Sequence, residues 1–158
     1  MLSQTVGYAI LALGYLAENS EGPTLVKDIS AATGIPSAYL AKIINTLARK
    51  GMVTTQRGIR GGVTLAHPPE SVTVFDLCRL LDDPMCEQRC MMGLAECSDE
   101  RACPAHEFWK KERAVCQQYL DKMTLADVGQ FETEQRRKRA ALKQQNSKSA
   151  ANAALGVE

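Results

Sequence analysis

Three cysteines and one histidine fall within the seventeen residues CMMGLAECSDERACPAH, from Cys90 to His106. Their spacing is C-x6-C-x5-C-x2-H, and the intervening residues show no apolar periodicity, so burial in a core does not account for three thiols. Thiolates are soft ligands for zinc and for iron-sulfur clusters, and a short loop can fold three of them around one centre. Cys3His is also a tetrahedral zinc set, although zinc sites more often close on tight C-x2-4-C knuckles. The wider intervals here suit a larger, more exposed cluster, with structural or sensory zinc as the competing chemistry. Of the remaining thiols, Cys78 and Cys116 fall on apolar helix faces and are expected in the core as small hydrophobes; Cys86 is an extra thiol four residues before Cys90.

The chain around this loop has 158 residues and 45% hydrophobic content, enough for one core plus an extension. No apolar run approaches the roughly eighteen residues of a membrane span, and the start MLSQTVGYAI has neither a basic n-region nor a small-residue cleavage site. A cytoplasmic protein with reduced cysteines and no membrane partner is therefore expected. The net charge of +1 hides a division. Residues 1–65 hold six Lys/Arg against three Asp/Glu, residues 66–103 three against eight, and residues 104–158 ten against seven, giving +3, −5 and +3. A basic first segment is compatible with nucleic acid, and its motifs must decide.

Val6, Ala9, Ile10, Leu13, Leu16 and Ala17 recur at helical spacing behind a Ser3 cap, a first helix over about 3–18. Thr24 precedes Leu25, Ile29 and Ala32, a short second helix closed by Gly34. After Ile35-Pro36, Ser37 can cap a third helix with the stripe Leu40, Ile43, Ile44, Leu47 and Ala48. This pair reads as a helix-turn-helix. MVTTQ (52–56) and VTLA (63–66) then flank RGIRGG (57–62), a hairpin whose β-branched arms and glycines make a wing. A groove-entering helix presents the side chains at its start, here Ser37, Ala38, Tyr39, Ala41 and Lys42, and Arg57 and Arg60 at the wing suit phosphates. Double-stranded DNA is the expected partner.

Beyond the wing, His67-Pro68-Pro69 reads as a linker, and Ser71–Leu81 as a short helix stopped by Asp82-Asp83-Pro84. From Pro104 onward, apolar residues including Phe108, Trp109, Val115, Tyr119 and Leu120 follow i, i+3, i+4, i+7 spacing along a helix of about twenty residues. Such a helix beyond a small core commonly pairs with its own copy, so a homodimer is expected, with folding back onto the first helix as the other use of its apolar face. The expected fold is mainly α with a small β wing: a winged helix-turn-helix (1–68), a connecting helix and cysteine loop (69–103), a long dimerisation helix (104–128) and a polar, flexible tail (129–158). Arg136 to Arg139 in that tail are assigned no site.

The opening GYAILAL, the segment IPSAYLAKIINTLARKGMV, the wing RGIRGGV, TVFDLCRLL, the cysteine loop ending CPAHEFW, and TLADV together resemble the Rrf2 family of bacterial transcription regulators, in its IscR-like iron-sulfur branch, over roughly residues 1–128. The resemblance implies a homodimer with a winged helix-turn-helix in each subunit, a crossed dimerisation helix, and a cluster whose redox state or occupancy alters operator affinity. It implies Cys90, Cys97 and Cys103 as thiolate ligands and His106 as the fourth. Some relatives instead take an acidic ligand from the partner subunit just before the first-helix tyrosine; Gly7 stands there, before Tyr8, and offers no carboxylate. The first interval holds six residues where that branch has five, and Cys86 is an alternative fourth ligand that would make an all-cysteine 4Fe-4S centre in place of the preferred 2Fe-2S. The expected function is thus a redox- or iron-responsive regulator and not an enzyme, the other classes being a zinc-bearing winged-helix regulator and a small iron-sulfur electron carrier.

Overall fold

The structure is a computed structural model that describes residues 2–19, 21–58, 60–93 and 96–155; Ile59 of the wing and the last three residues of the expected tail lie outside the described residues. The order is α1 (Gln4–Glu18), α2 (Val26–Thr33), α3 (Ser37–Arg49), β1 (Val53–Gln56), β2 (Gly62–Leu65), α4 (Val74–Leu80), α5 (His106–Leu120) and α6 (Leu125–Leu155), with short 3-10 turns between.

Ser3 caps α1, its Oγ accepting from the Val6 N–H at 3.3 Å. The helix then buries Val6, Ala9, Ala12, Leu13 and Leu16, each 3% exposed or less. All of these but Val6 meet Ile29 of α2 and Leu40, Ile43, Ile44 and Leu47 of α3 in one core. Gly34, at φ 75°, ends α2 in the left-handed region that favours glycine. Ser37 is the first residue of α3 rather than its cap: Pro36 holds the cap position, and the Ser37 hydroxyl donates to Ser30 Oγ at 2.8 Å, locking the turn between the helices. Thr24 does not cap α2 either. Its backbone exchanges two hydrogen bonds with Val63, at 3.0 and 2.8 Å, which ties the wing to the helical body. A Cβ at Gly62 would stand 2.8 Å from the backbone of Pro23 and Thr24, so this junction requires glycine. β1 and β2 pair antiparallel, from Val53 opposite Leu65 to Gln56 opposite Gly62.

The second half departs from the expected single long helix. α5 ends at Leu120, and α6 begins at Leu125 behind a Thr124 turn. Thr124 and Asp127 bond reciprocally, the Thr124 N–H to Asp127 Oδ2 at 2.8 Å and the Asp127 N–H to Thr124 Oγ1 at 3.2 Å. Thr73 and Asp76 do the same at the start of α4, and Thr73 and Thr124 form a β-bridge, so two capping boxes stand side by side. It is α6, not α5, that runs along α1. The two helices cross where glycine meets glycine: a Cβ at Gly14 would lie 2.9 Å from Val128 Cγ1, and one at Gly129 would lie 2.9 Å from the Gly14 carbonyl. α6 continues through the segment read as a polar tail, whose Gln, Arg, Lys, Ala and Leu are good helix formers.

α5 turns its half-buried side, Trp109, Arg113, Gln117 and Leu120 below the buried His106, toward the protein, and leaves Phe108, Val115 and Tyr119 about 58%, 60% and 65% exposed. Cys116 lies beside that inward stripe and is exposed, not in the core; Cys78 is fully buried. Among the described residues, no helix is long and apolar enough to cross a membrane.

Candidate metal centre and nucleic-acid interface

The cysteine loop starts from an anchored base. Asp83 is 1% exposed and accepts from the Met85 N–H at 2.9 Å and from the Ser3 N–H at 2.8 Å. Burial alone pushes its carboxyl up, but the bonds from Met85 and Ser3 outweigh that and hold it below the ordinary aspartate value. It caps the 3-10 turn Pro84–Cys86, whose Cys86 is half-buried with its thiol pushed up by burial and then by Asp83. Burial, with Asp83 next, also pushes the Cys78 thiol up to about 12, so that group stays protonated and inert at neutral pH.

From Glu87 the loop is closed by backbone contacts. Arg89 and Glu96 form a β-bridge, the Cys97 N–H donates to the Gln88 carbonyl at 2.6 Å, and the Gly93 N–H donates to the Cys90 carbonyl at 2.9 Å. Trp109 Nε1 donates to the Arg89 carbonyl at 2.8 Å, pinning the loop to α5. Cys97 is 8% exposed and His106 4% exposed, with Cys97 Sγ 3.2 Å from His106 Nδ1. The other imidazole nitrogen, Nε2, lies 2.8 Å from Asp99 Oδ1, which also accepts from Lys110 Nζ at 2.7 Å. The bond from Lys110, and after it the one from His106, holds the Asp99 carboxyl below its ordinary value.

Of the four expected ligands the structure brings Cys97 and His106 together. Cys90 and Cys103 are half-buried on the same loop; among the described residues, the ligand atoms that converge within 4.8 Å are those of Asp99, His106 and Glu107. The donors nonetheless suit a thiolate-bound metal centre, an iron-sulfur cluster among them, on two observations. A tetrahedral ion with bonds of about 2.3 Å to sulfur and about 2.0 Å to nitrogen holds those two atoms roughly 3.5 Å apart, close to the Cys97–His106 separation. Secondly, Arg113 Nη1 is buried with no hydrogen-bond partner. Arg113 lies one turn from Trp109, which bonds Arg89, and one turn from Gln117, whose Nε2 donates to the Met85 carbonyl at 2.9 Å, so it stands on the face of α5 that carries the loop. A guanidinium nitrogen buried there without a partner suits the negative charge that metal-bound thiolates would carry.

The second surface lies at the other end of the chain. Ser37, Ala38 and Lys42 are exposed on the first turns of α3, Ala41 is half-buried, and Arg57 and Arg60 are exposed at the wing. Tyr39 instead turns toward α1, its hydroxyl 2.9 Å from Thr5 Oγ1 and its ring edge-on to Tyr8 at 5.5 Å. Between α2, α3 and the wing runs a cleft of about 660 Å³ that includes Lys27, Asn45, Gln56 and Arg57. Gly61 closes the wing turn, since a Cβ there would collide with the Gln56 carbonyl. Sequence reading missed Lys27, Asn45 and Gln56, as well as Asp83, Asp99, Lys110 and Arg113 around the loop. Asp83 was visible only as a helix stop, and the others carried no local signal.

A helix-turn-helix joined to an arginine-bearing wing defines a winged-helix transcriptional regulator. Residues 2–130 match the family described as Rrf2, iron-dependent transcriptional regulator, and the chain belongs to that family. It is 32% identical over 130 residues to a putative HTH-type transcriptional regulator of Aquifex aeolicus, covering 81% of this chain and 90% of that one. Among solved structures it is similar to CymR, the global cysteine regulator of B. subtilis, at 28% identity and a TM-score of 0.70 over 83% of this chain and 97% of that chain. It is also similar to T. potens IscR, at 28% identity and a TM-score of 0.64 over 81% and 85%.

Proposed function

We propose that this transcriptional regulator carries an iron-sulfur cluster on the loop from Cys90 to His106 and reads operator DNA as a homodimer, with affinity that follows the state of that loop. The observation that carries the reading is one loop thiol against a buried imidazole, Cys97 Sγ 3.2 Å from His106 Nδ1, with Cys90 and Cys103 half-buried on the same loop and Arg113 Nη1, on the helix that His106 opens, buried without a hydrogen-bond partner. Cys90, Cys97, Cys103 and His106 would hold the cluster, 2Fe-2S in preference to 4Fe-4S, with Cys86 as the alternative fourth ligand. Such a cluster, when bound, supplies a change of charge or of occupancy with oxidant or iron supply.

The chain's own residues do the rest. Lys42 and Arg60, with Arg57 and Lys27 that line the cleft, offer positive charge to phosphates, while the exposed start of α3 meets base edges. Phe108, Val115 and Tyr119 supply an apolar stripe for a second copy, continued by a groove of about 580 Å³ in which Tyr119, Met123, Val128 and Phe131 stand with Lys122 and Asp127. A route between the two ends runs through two hydrogen bonds and a ring contact: Asp83 beside the cysteine turn holds the Ser3 N–H, and α1 meets Tyr39 of α3 through the Thr5 hydroxyl and the Tyr8 ring.

A second reading, a structural or sensory zinc ion, is favoured by the convergence of Asp99, His106 and Glu107, a compact nitrogen and oxygen set for a single divalent cation. Analysis of anaerobically purified protein for iron, zinc and acid-labile sulfide separates the two. Iron with equimolar sulfide and visible absorption is the expected result; colourless, zinc-loaded protein without sulfide overturns the cluster.

A further inference from the structure

We infer that Asp99, held in place by Lys110, is a positioning residue that commits His106 to bind metal through Nδ1. The inference rests on the reading of His106 as a ligand and adds which nitrogen it uses and what enforces that choice. An ionised carboxylate only accepts hydrogen bonds, so the 2.8 Å contact from His106 Nε2 to Asp99 Oδ1 places the imidazole proton on Nε2. The lone pair of the neutral ring is then on Nδ1, the nitrogen that faces Cys97 Sγ at 3.2 Å. Rotating the ring to offer Nε2 instead would break the Asp99 bond and require the proton to move to Nδ1.

Several features keep the arrangement from being incidental. His106 is 4% exposed, so its ring has little room to reorient. It is the first residue of α5, its N–H bonded to the Cys103 carbonyl at 2.9 Å, which fixes its backbone against the last cysteine of the loop. Lys110 stands one turn later on the same helix, and its Nζ reaches the same Asp99 oxygen at 2.7 Å, holding an otherwise exposed carboxylate in register. Hydrogen-bonded carboxylates on the far nitrogen of ligating histidines act in this way generally, setting tautomer and ring orientation and raising ligand basicity.

The test begins with the cluster-free full-length chain and nitrogen-15-labelled histidine. The chain has two histidines, so the spectrum at alkaline pH resolves His106 against the exposed His67. Wild type is expected as the Nε2–H tautomer; Asp99→Ala is expected to relax toward a mixture, and Asp99→Asn, whose Oδ1 still accepts, to restore the wild-type form. In the reduced, cluster-loaded protein, pulsed electron paramagnetic resonance with histidine labelled at Nδ1 alone is expected to show the coupling of a directly bound nitrogen. An Nδ1–H tautomer in wild type, an unchanged tautomer in Asp99→Ala, or coupling carried by Nε2 overturns the inference. A correct tautomer with full iron retention in His106→Ala overturns instead the ligand reading on which the inference rests.

Discussion

From residue 4 to residue 65 the chain buries Ala9, Leu13, Leu16, Ile29, Leu40, Ile44, Leu47 and Val63 in one cluster, whereas from Glu87 to Cys103 Cys97 alone is buried among the described residues. The reading head is shaped by apolar area taken from water, which needs no ligand. The cysteine loop is shaped by a few backbone bonds and one indole bond, and segments of that kind open locally at low cost. A regulator benefits from this asymmetry. The part that meets DNA is preformed, and the part proposed to hold metal would be left for the ligand to complete.

The largest effects should fall on the reading head. Leu40→Ala, at a fully buried position of α3, should lower the stability of the cluster-free protein by about 2–5 kcal/mol in urea unfolding, whereas Cys103→Ser should change it by less than about 0.5 kcal/mol. Equal losses would erase the contrast between the two regions. Next comes the apolar stripe of α5. Val115→Glu should convert the proposed homodimer to monomer in sedimentation, with much weaker DNA binding, because an interface cannot bury an unpaired carboxylate; a variant that stays dimeric places the interface elsewhere.

The joint between the regions is Asp83. Asp83→Ala leaves the Ser3 and Met85 N–H groups without their acceptor and should cost about 1–3 kcal/mol. The folded carboxyl is held below its unfolded value, near about 3.9, so this stabilisation is present above that pH and is lost as pH falls through the folded value. Acid denaturation of Asp83→Asn should therefore show a shallower dependence on pH below about 4 than wild type; identical curves would remove Asp83 from the account. The smallest effect is at the wing: Arg57→Ala or Arg60→Ala should weaken binding to many DNA sequences about equally and shallow the salt dependence by roughly one unit of slope for each phosphate no longer neutralised. Unchanged affinity at matched salt for both variants would take the wing off the phosphates.

The reading head was legible because its signals are local. The stripes of α1 and α3, Gly34 and the glycines of the wing each act on their own neighbourhood, and the chain order of helix pair and hairpin then identifies the fold. The break between α5 and α6 was missed although TVFD and TLAD both spell a capping box, because the apolar spacing runs on through Met123 and masks the stop. Cys116 was misplaced because Phe108, Val115 and Tyr119 of the apolar set face outward while Trp109, Arg113 and Gln117 turn in, a split visible only once the loop is seen to pack there. The thiols and His106 could be named from their types and spacing. Asp99, Lys110 and Arg113 could not, since isolated charges in a charged segment show no partner until the fold supplies one.

The central claim is that the state of the cysteine loop is felt at the DNA-reading end. Its most direct test is one equilibrium titration, with operators selected from random-sequence DNA, comparing a single anaerobic preparation before and after its iron is removed, at matched salt and protein concentration. The account predicts affinities that differ between the two forms for at least one selected class of site, with the difference abolished in Cys97→Ser. Superimposable binding curves for loaded and stripped protein on every selected site would contradict it.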